Sequence, residues 1–223
     1  MLITYCILKN SVSRNIQEYD GELFKIYIAF LKGKFFINRK TKYIDETLYR
    51  NILKLSLRIK KFNWTLNFIN SFSKYLHPEK RQNLLNFSLA EYSYFYGVLN
   101  KSDANINKAF NFLEKIDEVS FVQKYDIKVL HLMIDFDLNN NDFVLNGINN
   151  YRKFLRRNEL VTEDKKKRLN KFLNLLEKLI YLRENNSKKN FTDMHSDILK
   201  SEDTFQRGWL LNKTEEIENK HKS

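Results

Sequence analysis

The sequence predicts an all-α protein, specifically a right-handed α-α superhelix made of stacked helical hairpins. Two observations lead to this prediction. Apolar residues recur at helical spacing in three segments that begin at Leu66, Ile106 and Leu145, which lie 40 and 39 positions apart. A fixed period of this length is typical of hairpin arrays in which each unit buries its apolar face on its neighbours. The 223 residues also include only five glycines and one proline, too few for the many tight turns of an all-β fold.

The three repeated segments share one pattern of apolar positions. Spacings of three, three and four residues place these positions on one face of an α-helix. The sets are Leu66, Ile69, Phe72 and Leu76; Ile106, Ala109, Phe112 and Ile116; and Leu145, Ile148, Tyr151 and Leu155. The helix before each segment keeps the same register, with Leu55, Phe95 and Ile134 at corresponding positions. This second agreement is not used to find the period and so gives partly independent support, and three units meet the usual minimum for a stable stack.

An N-terminal helical region is predicted for residues 1–44. Apolar residues along 20–37 indicate an amphipathic helix, and the polar, basic stretch 38–43 indicates a connection. Asp45 then marks the start of the next helix, because its carboxylate can accept hydrogen bonds from the free N–H groups of the first turn.

Three helical hairpins are predicted within residues 45–158. The turn inside each hairpin is expected at residues 62–64, 100–103 and 139–142. His77 and Pro78 separate the first hairpin from the second, because the residue before proline is disfavoured in the α region and proline suits the first turn of a helix.

The remaining residues, 159–223, are predicted as C-terminal capping helices. Thr162 opens a helix over 162–183, residues 184–190 form a loop, and a final helix covers 191–217. With these caps, the whole chain is predicted to form a single α-solenoid domain.

The net charge of +12 raises the possibility of a polyanionic partner. Most of the excess comes from two basic segments, residues 32–61 and 151–189, which include Lys165, Lys166, Lys167 and Arg168 in succession. Such clusters can neutralise phosphates or approach anionic lipid. The alternative explanation is compositional, because the chain is also rich in the Asn, Ile, Phe and Tyr that AT-rich codons encode.

The sequence favours a cytoplasmic protein. The segment 1–8 is apolar but short, and without a positive start or a small-residue cleavage site it is not predicted to be a signal peptide. No run approaches the length needed to span a bilayer. Cys6 is the only cysteine, so no internal disulfide can form, and a reducing compartment fits best.

The helix–turn–helix pattern resembles that of divergent tetratricopeptide-like (TPR-like) helical-repeat proteins of bacteria. Ala109 matches the family's small residue at the helix crossing, and Phe112 matches its later large residue. Ile69 and Ile148 stand where the family has alanine, and the period exceeds the usual 34 residues. The resemblance covers residues 45–158 and implies a protein-interaction role. It carries over no binding residues, because the family has no common ligand.

The residues give little indication of catalysis. His131 and Asp135 lie four positions apart, so the carboxylate could orient the imidazole, yet no second histidine or cysteine completes a metal-binding motif. No Gly-rich phosphate loop or GxSxG motif is present. We therefore predict no catalytic residues, no metal and no cofactor, and an enzyme with a site assembled across helices is the least favoured class.

The predicted function is that of a non-catalytic adaptor for an acidic or extended peptide. The first helices of a hairpin solenoid line its concave surface, so Lys54, Arg58 and Tyr94 are the candidate partner-binding residues, with Tyr94 expected to point outward. The alternative is a nucleic-acid-associated protein that uses the two basic segments. No membrane partner is predicted, and the oligomeric state is left open.

Overall fold

The computed structural model describes residues 19–37, 40–117, 121–185, 188–201 and 204–222. Within these ranges the regular structure is helical, apart from one isolated antiparallel bridge between Ile37 and Ile44. The all-α prediction is therefore confirmed. Cys6 and the apolar segment 1–8 lie outside the described residues.

The described residues form ten α-helices and one short 3₁₀ helix, Ser73–Tyr75. In chain order the α-helices are α1 Asp20–Lys32, α2 Glu46–Arg58, α3 Phe62–Phe72, α4 Pro78–Leu99, α5 Asp103–Leu113, α6 Phe121–Asp137, α7 Asn141–Arg157, α8 Glu163–Glu184, α9 Lys188–Lys200 and α10 Arg207–Lys222.

The chain folds into two compact units, Met1–Leu130 and His131–Ser223, which we call the N-terminal and C-terminal units. The boundary falls within α6. The N-terminal unit contains α1 to α5, and the C-terminal unit contains α7 to α10. The single α-solenoid domain stays a prediction.

Several helix starts are set by the capping residues that the sequence indicates. The Asp45 carboxylate accepts a hydrogen bond from the backbone N–H of Leu48 at 2.9 Å, and the Thr162 hydroxyl accepts one from that of Lys165. Pro78 occupies the first turn of α4. The first N–H groups of a helix have no acceptor within the helix. The Asp45 and Thr162 side chains supply such an acceptor, and Pro78 has no N–H that would need one. The predicted caps at Asp45 and Thr162 are confirmed.

The turn between α2 and α3 lies before the residues 62–64 expected for it, because α3 already begins at Phe62. It shares one backbone geometry with the turns between α4 and α5 and between α6 and α7. Each contains a non-glycine residue in the left-handed region, with φ of 58° at Lys60, 51° at Lys101 and 60° at Asn139. In each turn the next N–H bonds back to a carbonyl five residues earlier, at 2.9 Å: Lys61 to Ser56, Ser102 to Gly97 and Asn140 to Asp135. This is the Schellman type of helix end. Its recurrence after 41 and 38 residues matches the period of the apolar pattern.

The left-handed turn residues lead to a stability prediction. Left-handed backbone costs an L-residue about 1 kcal/mol, and glycine avoids this cost. We expect Lys101→Gly to raise the free energy of unfolding by up to about 1 kcal/mol in urea denaturation. Lys101→Ala is the control, because it removes the same side chain but keeps a Cβ. Equal stability of the two variants would contradict the prediction.

The apolar face of the second helices is confirmed at its centre. Ile69, Ala109 and Ile148 occupy corresponding positions in α3, α5 and α7, and each is 0% exposed. The corresponding positions of the first helices are less uniformly buried. Leu55 and Ile134 are buried, whereas Phe95 is half-buried.

Gly97 allows a close approach between α4 and α5. A Cβ at this position would lie 2.9 Å from the backbone nitrogen of Ile106. This contact is too close, and because the neighbouring atom belongs to the backbone, it can be relieved only if the two helices move apart. We therefore expect Gly97→Ala to lower the free energy of unfolding by about 1–3 kcal/mol, although alanine is the better helix former. Gly208→Ala in α10 is the control, because a Cβ there meets no atom within 4 Å. A neutral Gly97→Ala would show that the two helices separate easily.

The C-terminal end of the chain differs from the prediction. The single helix expected over 191–217 is two helices, and α9 begins within the loop expected at 184–190. The Arg207 guanidinium donates to the carbonyls of Ile198 and Leu199 at 3.3 and 3.2 Å, so it satisfies carbonyl groups at the end of α9.

Candidate ligand-binding surface

Arg58, one of the three predicted partner-binding residues, is bound to a carboxylate within its own unit. Its Nε and Nη2 atoms each donate to Asp20 at 2.6 Å. The Asp20 side chain is only 1% exposed, so it depends on this bidentate pair for its counter-charge. Arg58 therefore holds α2 against the start of α1, and its charge is already balanced.

Lys54 belongs to a second internal ion-pair cluster. Its Nζ lies 3.6 Å from Asp126 Oδ1, and Arg50 also donates to Asp126. The side chains of Arg50 and Asp126 are 12% and 11% exposed. The cluster joins α2 to the N-terminal half of α6. Cations from the first basic segment are thus used to neutralise buried acidic groups.

Tyr94 is buried, so the prediction that it points outward is wrong. Its side chain is 0% exposed, and its ring meets that of Phe95 edge-on at 5.1 Å. The buried face of α4 runs through Leu84, Phe87, Ala90, Tyr94 and Gly97. The neighbouring aromatic residues Tyr92, Phe95 and Tyr96 are half-buried against the same core. Because α4 is apolar around much of its circumference, its register could not be fixed from the sequence pattern alone.

Glu91 lies close to the same ion-pair cluster. It is 6% exposed, and its Oε2 has no hydrogen-bond partner among the described residues. Burial raises the pKa of the Glu91 carboxyl, and the nearby charges of Lys54 and Arg50 offset part of this rise. Desolvation therefore has a larger effect on the pKa of Glu91 than the attraction of the two cations has.

The raised pKa of Glu91 leads to a pH prediction. A carboxyl that binds its proton more tightly in the folded state contributes stability at low pH, and this contribution is lost as the pH rises through the folded pKa. In urea denaturation we expect Glu91→Gln to gain stability relative to the wild type as the pH rises above 4.5, the ordinary pKa of a glutamate carboxyl.

The exposed Glu79→Gln variant controls for the loss of one negative charge. A stability difference between Glu91→Gln and the wild type that stays constant across this pH range would contradict the assignment.

The polar groups considered for catalysis do not form a metal cluster. His131 and Asp135 both lie on α6, and Asp135 accepts a hydrogen bond from Asn140 at 3.4 Å. Burial raises the pKa of the Asp135 carboxyl, whereas Asn140 and His131 lower it. Within the described ranges, no group of three or more His, Cys, Asp or Glu residues is placed to hold a metal ion.

The second basic segment, in contrast, forms two clefts on the surface of the C-terminal unit. The first cleft has a volume of about 530 Å³ and involves α7 and α8; it is lined by Asn149, Arg152, Lys153, Arg156 and Asn170. The second has a volume of about 430 Å³ and is lined by Asn150, Lys153, Phe154, Arg157 and Asn158. Both combine cations with side-chain amides, and Lys153 belongs to both.

One of these cations is bound internally, and three are not. Arg152 donates to Glu177 at 2.8 Å and to Asn174 at 2.7 Å, which joins α7 to α8. Across the part of the chain that the structure describes, the side chains of Lys153, Arg156 and Arg157 form no ion pair, and all three are exposed. The buried face of α7 is formed by Val144, Ile148, Tyr151 and Leu155. Helical periodicity therefore directs the three cations away from the core.

The basic clefts were not among the predicted site residues, although their charge was noted as part of the segment 151–189. A signal was present, because apolar residues at 144, 148, 151 and 155 place Lys153, Arg156 and Arg157 on the opposite side of α7. The sequence could not show which cations have internal partners.

Comparison with known proteins finds no matching family model, no matching curated protein and no matching solved structure. No helix in the described ranges is long and apolar enough to cross a membrane.

Proposed function

We propose that this protein is a non-catalytic adaptor that binds an acidic segment of a partner protein on the basic face of α7. The observation that carries the proposal is the presence, in two adjoining clefts, of three exposed cations that form no ion pair with any described residue, Lys153, Arg156 and Arg157. Cations placed in this way attract a complementary negative surface and fix its register.

The amide side chains favour a peptide ligand. Asn149 and Asn170 line the first cleft, and Asn150 lines the second. Each amide offers both a donor and an acceptor, which suits the alternating N–H and C=O groups of a peptide backbone. Cations beside these amides suit carboxylates, since a guanidinium can bind a carboxylate through two parallel hydrogen bonds.

The architecture supports an interaction role. We propose that the three hairpins form a right-handed, TPR-like α-α superhelix, on the strength of their matching turns at Lys60, Lys101 and Asn139. Arrays of this kind use extended surfaces for binding. The single cysteine of the chain fits a reducing compartment, so the cytoplasm is its proposed location.

The alternative function is association with nucleic acid through the same basic segment. Lys167 and Lys171 are also exposed, on α8 on either side of Asn170, so the number of cations suits a phosphate backbone as well. The first basic segment gives less support, because Arg50, Lys54 and Arg58 are paired with Asp126 or Asp20. Binding through phosphates would weaken steeply with salt.

A binding experiment separates the two functions. A fluorescent ten-residue glutamate-rich peptide and a single-stranded oligonucleotide of equal charge are titrated with the full chain at several salt concentrations. We expect the peptide to bind more tightly, and the Arg156→Gln/Arg157→Gln variant to lose about tenfold or more in affinity for it.

The control is Lys32→Gln/Lys108→Gln, which removes two exposed cations from the N-terminal unit and gives the same net charge. Equal losses in the two double variants would show that binding follows net charge alone, and the proposed site would be wrong. Tighter, strongly salt-dependent binding of the oligonucleotide would favour the alternative.

A further inference from the structure

The two clefts lie beside one another around α7. Their α7 residues run from Asn149 to Arg156 in the first cleft and from Asn150 to Asn158 in the second, so the clefts overlap along the helix axis. An α-helix turns 100° per residue and rises only 1.5 Å. The neighbouring residues Arg156 and Arg157 therefore point in different directions at almost the same height.

We infer that the ligand crosses α7 and places one acidic group in each cleft. This inference rests on the proposed function and adds to it the direction of the ligand and the spacing of its charges. Because Arg152 is held by Glu177 and Asn174, Arg156 is the arginine left to bind an anion in the first cleft, and Arg157 has this role in the second.

Lys153 lies under the crossing point. Viewed down the helix axis, Lys153 points between Arg156 and Arg157, about 60° from Arg156 and about 40° from Arg157. It lines both clefts. A ligand that spans both clefts passes over the Lys153 ammonium group. This group attracts both acidic groups of the ligand, but it does not form the two parallel hydrogen bonds that an arginine forms with a carboxylate.

The geometry sets the spacing of the acidic groups. The directions of Arg156 and Arg157 differ by about 100° around a helix whose side chains reach about 5–6 Å from the axis, which gives a distance of about 8–9 Å. A polyproline II segment advances 3.1 Å per residue, and every third side chain points in the same direction. Two acidic residues three positions apart in such a segment are about 9 Å apart and point the same way. The structure therefore points to a partner segment of the form acidic-x-x-acidic.

The test uses peptides of equal length and charge, each with two glutamates in a serine and proline background. The glutamates are adjacent, three positions apart or six positions apart. By fluorescence anisotropy with the full chain, we expect the three-apart peptide to bind about tenfold more tightly than the other two. Replacing one of its glutamates with glutamine should remove most of the effect of Arg156→Gln, and replacing the other should remove most of the effect of Arg157→Gln.

The outcomes distinguish the inference from the proposed function. Equal affinity for the three spacings, with losses in both arginine variants, would overturn the crossing geometry and leave the acidic-peptide site standing. Coupling of both arginines to the same glutamate would also overturn it. Failure of every acidic peptide to bind would remove the proposed function and the inference together. Lys108→Gln serves as the single-cation control on an exposed helix position.

Discussion

Replacement of Asp126 with asparagine is expected to lower the free energy of unfolding by about 3 kcal/mol. Asp126 supplies the carboxylate that pairs with both Arg50 and Lys54, and the Arg50 side chain is only 12% exposed. Asparagine has a similar shape but no charge, so two neighbouring cations would repel each other. Breaking a buried pair costs more than the pair contributes, because the remaining ion has lost its water and its partner.

Urea denaturation of Asp126→Asn, monitored by circular dichroism, measures this cost. Glu22→Gln is the control, because Glu22 pairs with Lys25 at 3.9 Å on the surface, with both side chains largely exposed. Exposed pairs of this kind contribute at most about 1 kcal/mol. Adding Arg50→Gln to Asp126→Asn should restore part of the loss, because it removes one of the two cations that Asp126 pairs with. If Asp126→Asn cost no more than Glu22→Gln, the cluster would not stabilise the fold.

The second large effect is expected at Ile148 in the C-terminal unit. Its side chain is 0% exposed, at the centre of the buried face of α7. Ile148→Ala removes three methyl or methylene carbons and leaves a cavity, so we expect a loss of about 2–5 kcal/mol in the free energy of unfolding.

Two further variants bracket the result at Ile148. Ile148→Val removes one carbon and should cost about 0.5–1.5 kcal/mol. Asn146→Ala, at an exposed position of the same helix, should change stability by less than about 0.5 kcal/mol. An Ile148→Ala variant as stable as Asn146→Ala would mean that this face of α7 is not packed.

Loss of stability at Ile148 and loss of binding at Arg156 have different causes in one helix. The apolar positions of α7 hold it against its unit, whereas its exposed cations are the groups that we propose to bind a ligand. Arg156→Gln is therefore expected to change affinity and to leave the free energy of unfolding within about 0.5 kcal/mol of the wild type.

Local features of the chain account for the parts of the fold that the sequence predicted correctly. The helix starts at Asp45 and Thr162 depend on side chains that bond to N–H groups three residues away. The buried positions Ile69, Ala109 and Ile148 follow from helical periodicity, which is a property of neighbouring residues. Such signals do not require knowledge of distant contacts.

The errors concern features that depend on distant partners. At the break between α9 and α10, the Arg207 side chain reaches back to the carbonyls of residues 198 and 199, a contact that helical periodicity does not reveal. Tyr94 was expected on the outside, but neighbouring helices cover the face of α4 that carries it. Where a helix is apolar on several sides, only its neighbours decide which side is buried.

The sequence by itself determined that this protein is helical, that turns follow α4 and α6, and which segments carry its excess positive charge; the turn expected at residues 62–64 lies within α3. The tertiary structure decided which of those charges are paired with carboxylates of the same chain. Arg58 meets a carboxylate 38 positions away and Arg50 one that is 76 positions away, whereas Arg156 and Arg157 meet none among the described residues. The physical reason is that helix formation follows from local spacing, whereas the balance of a charge depends on groups that only folding brings within a few ångströms.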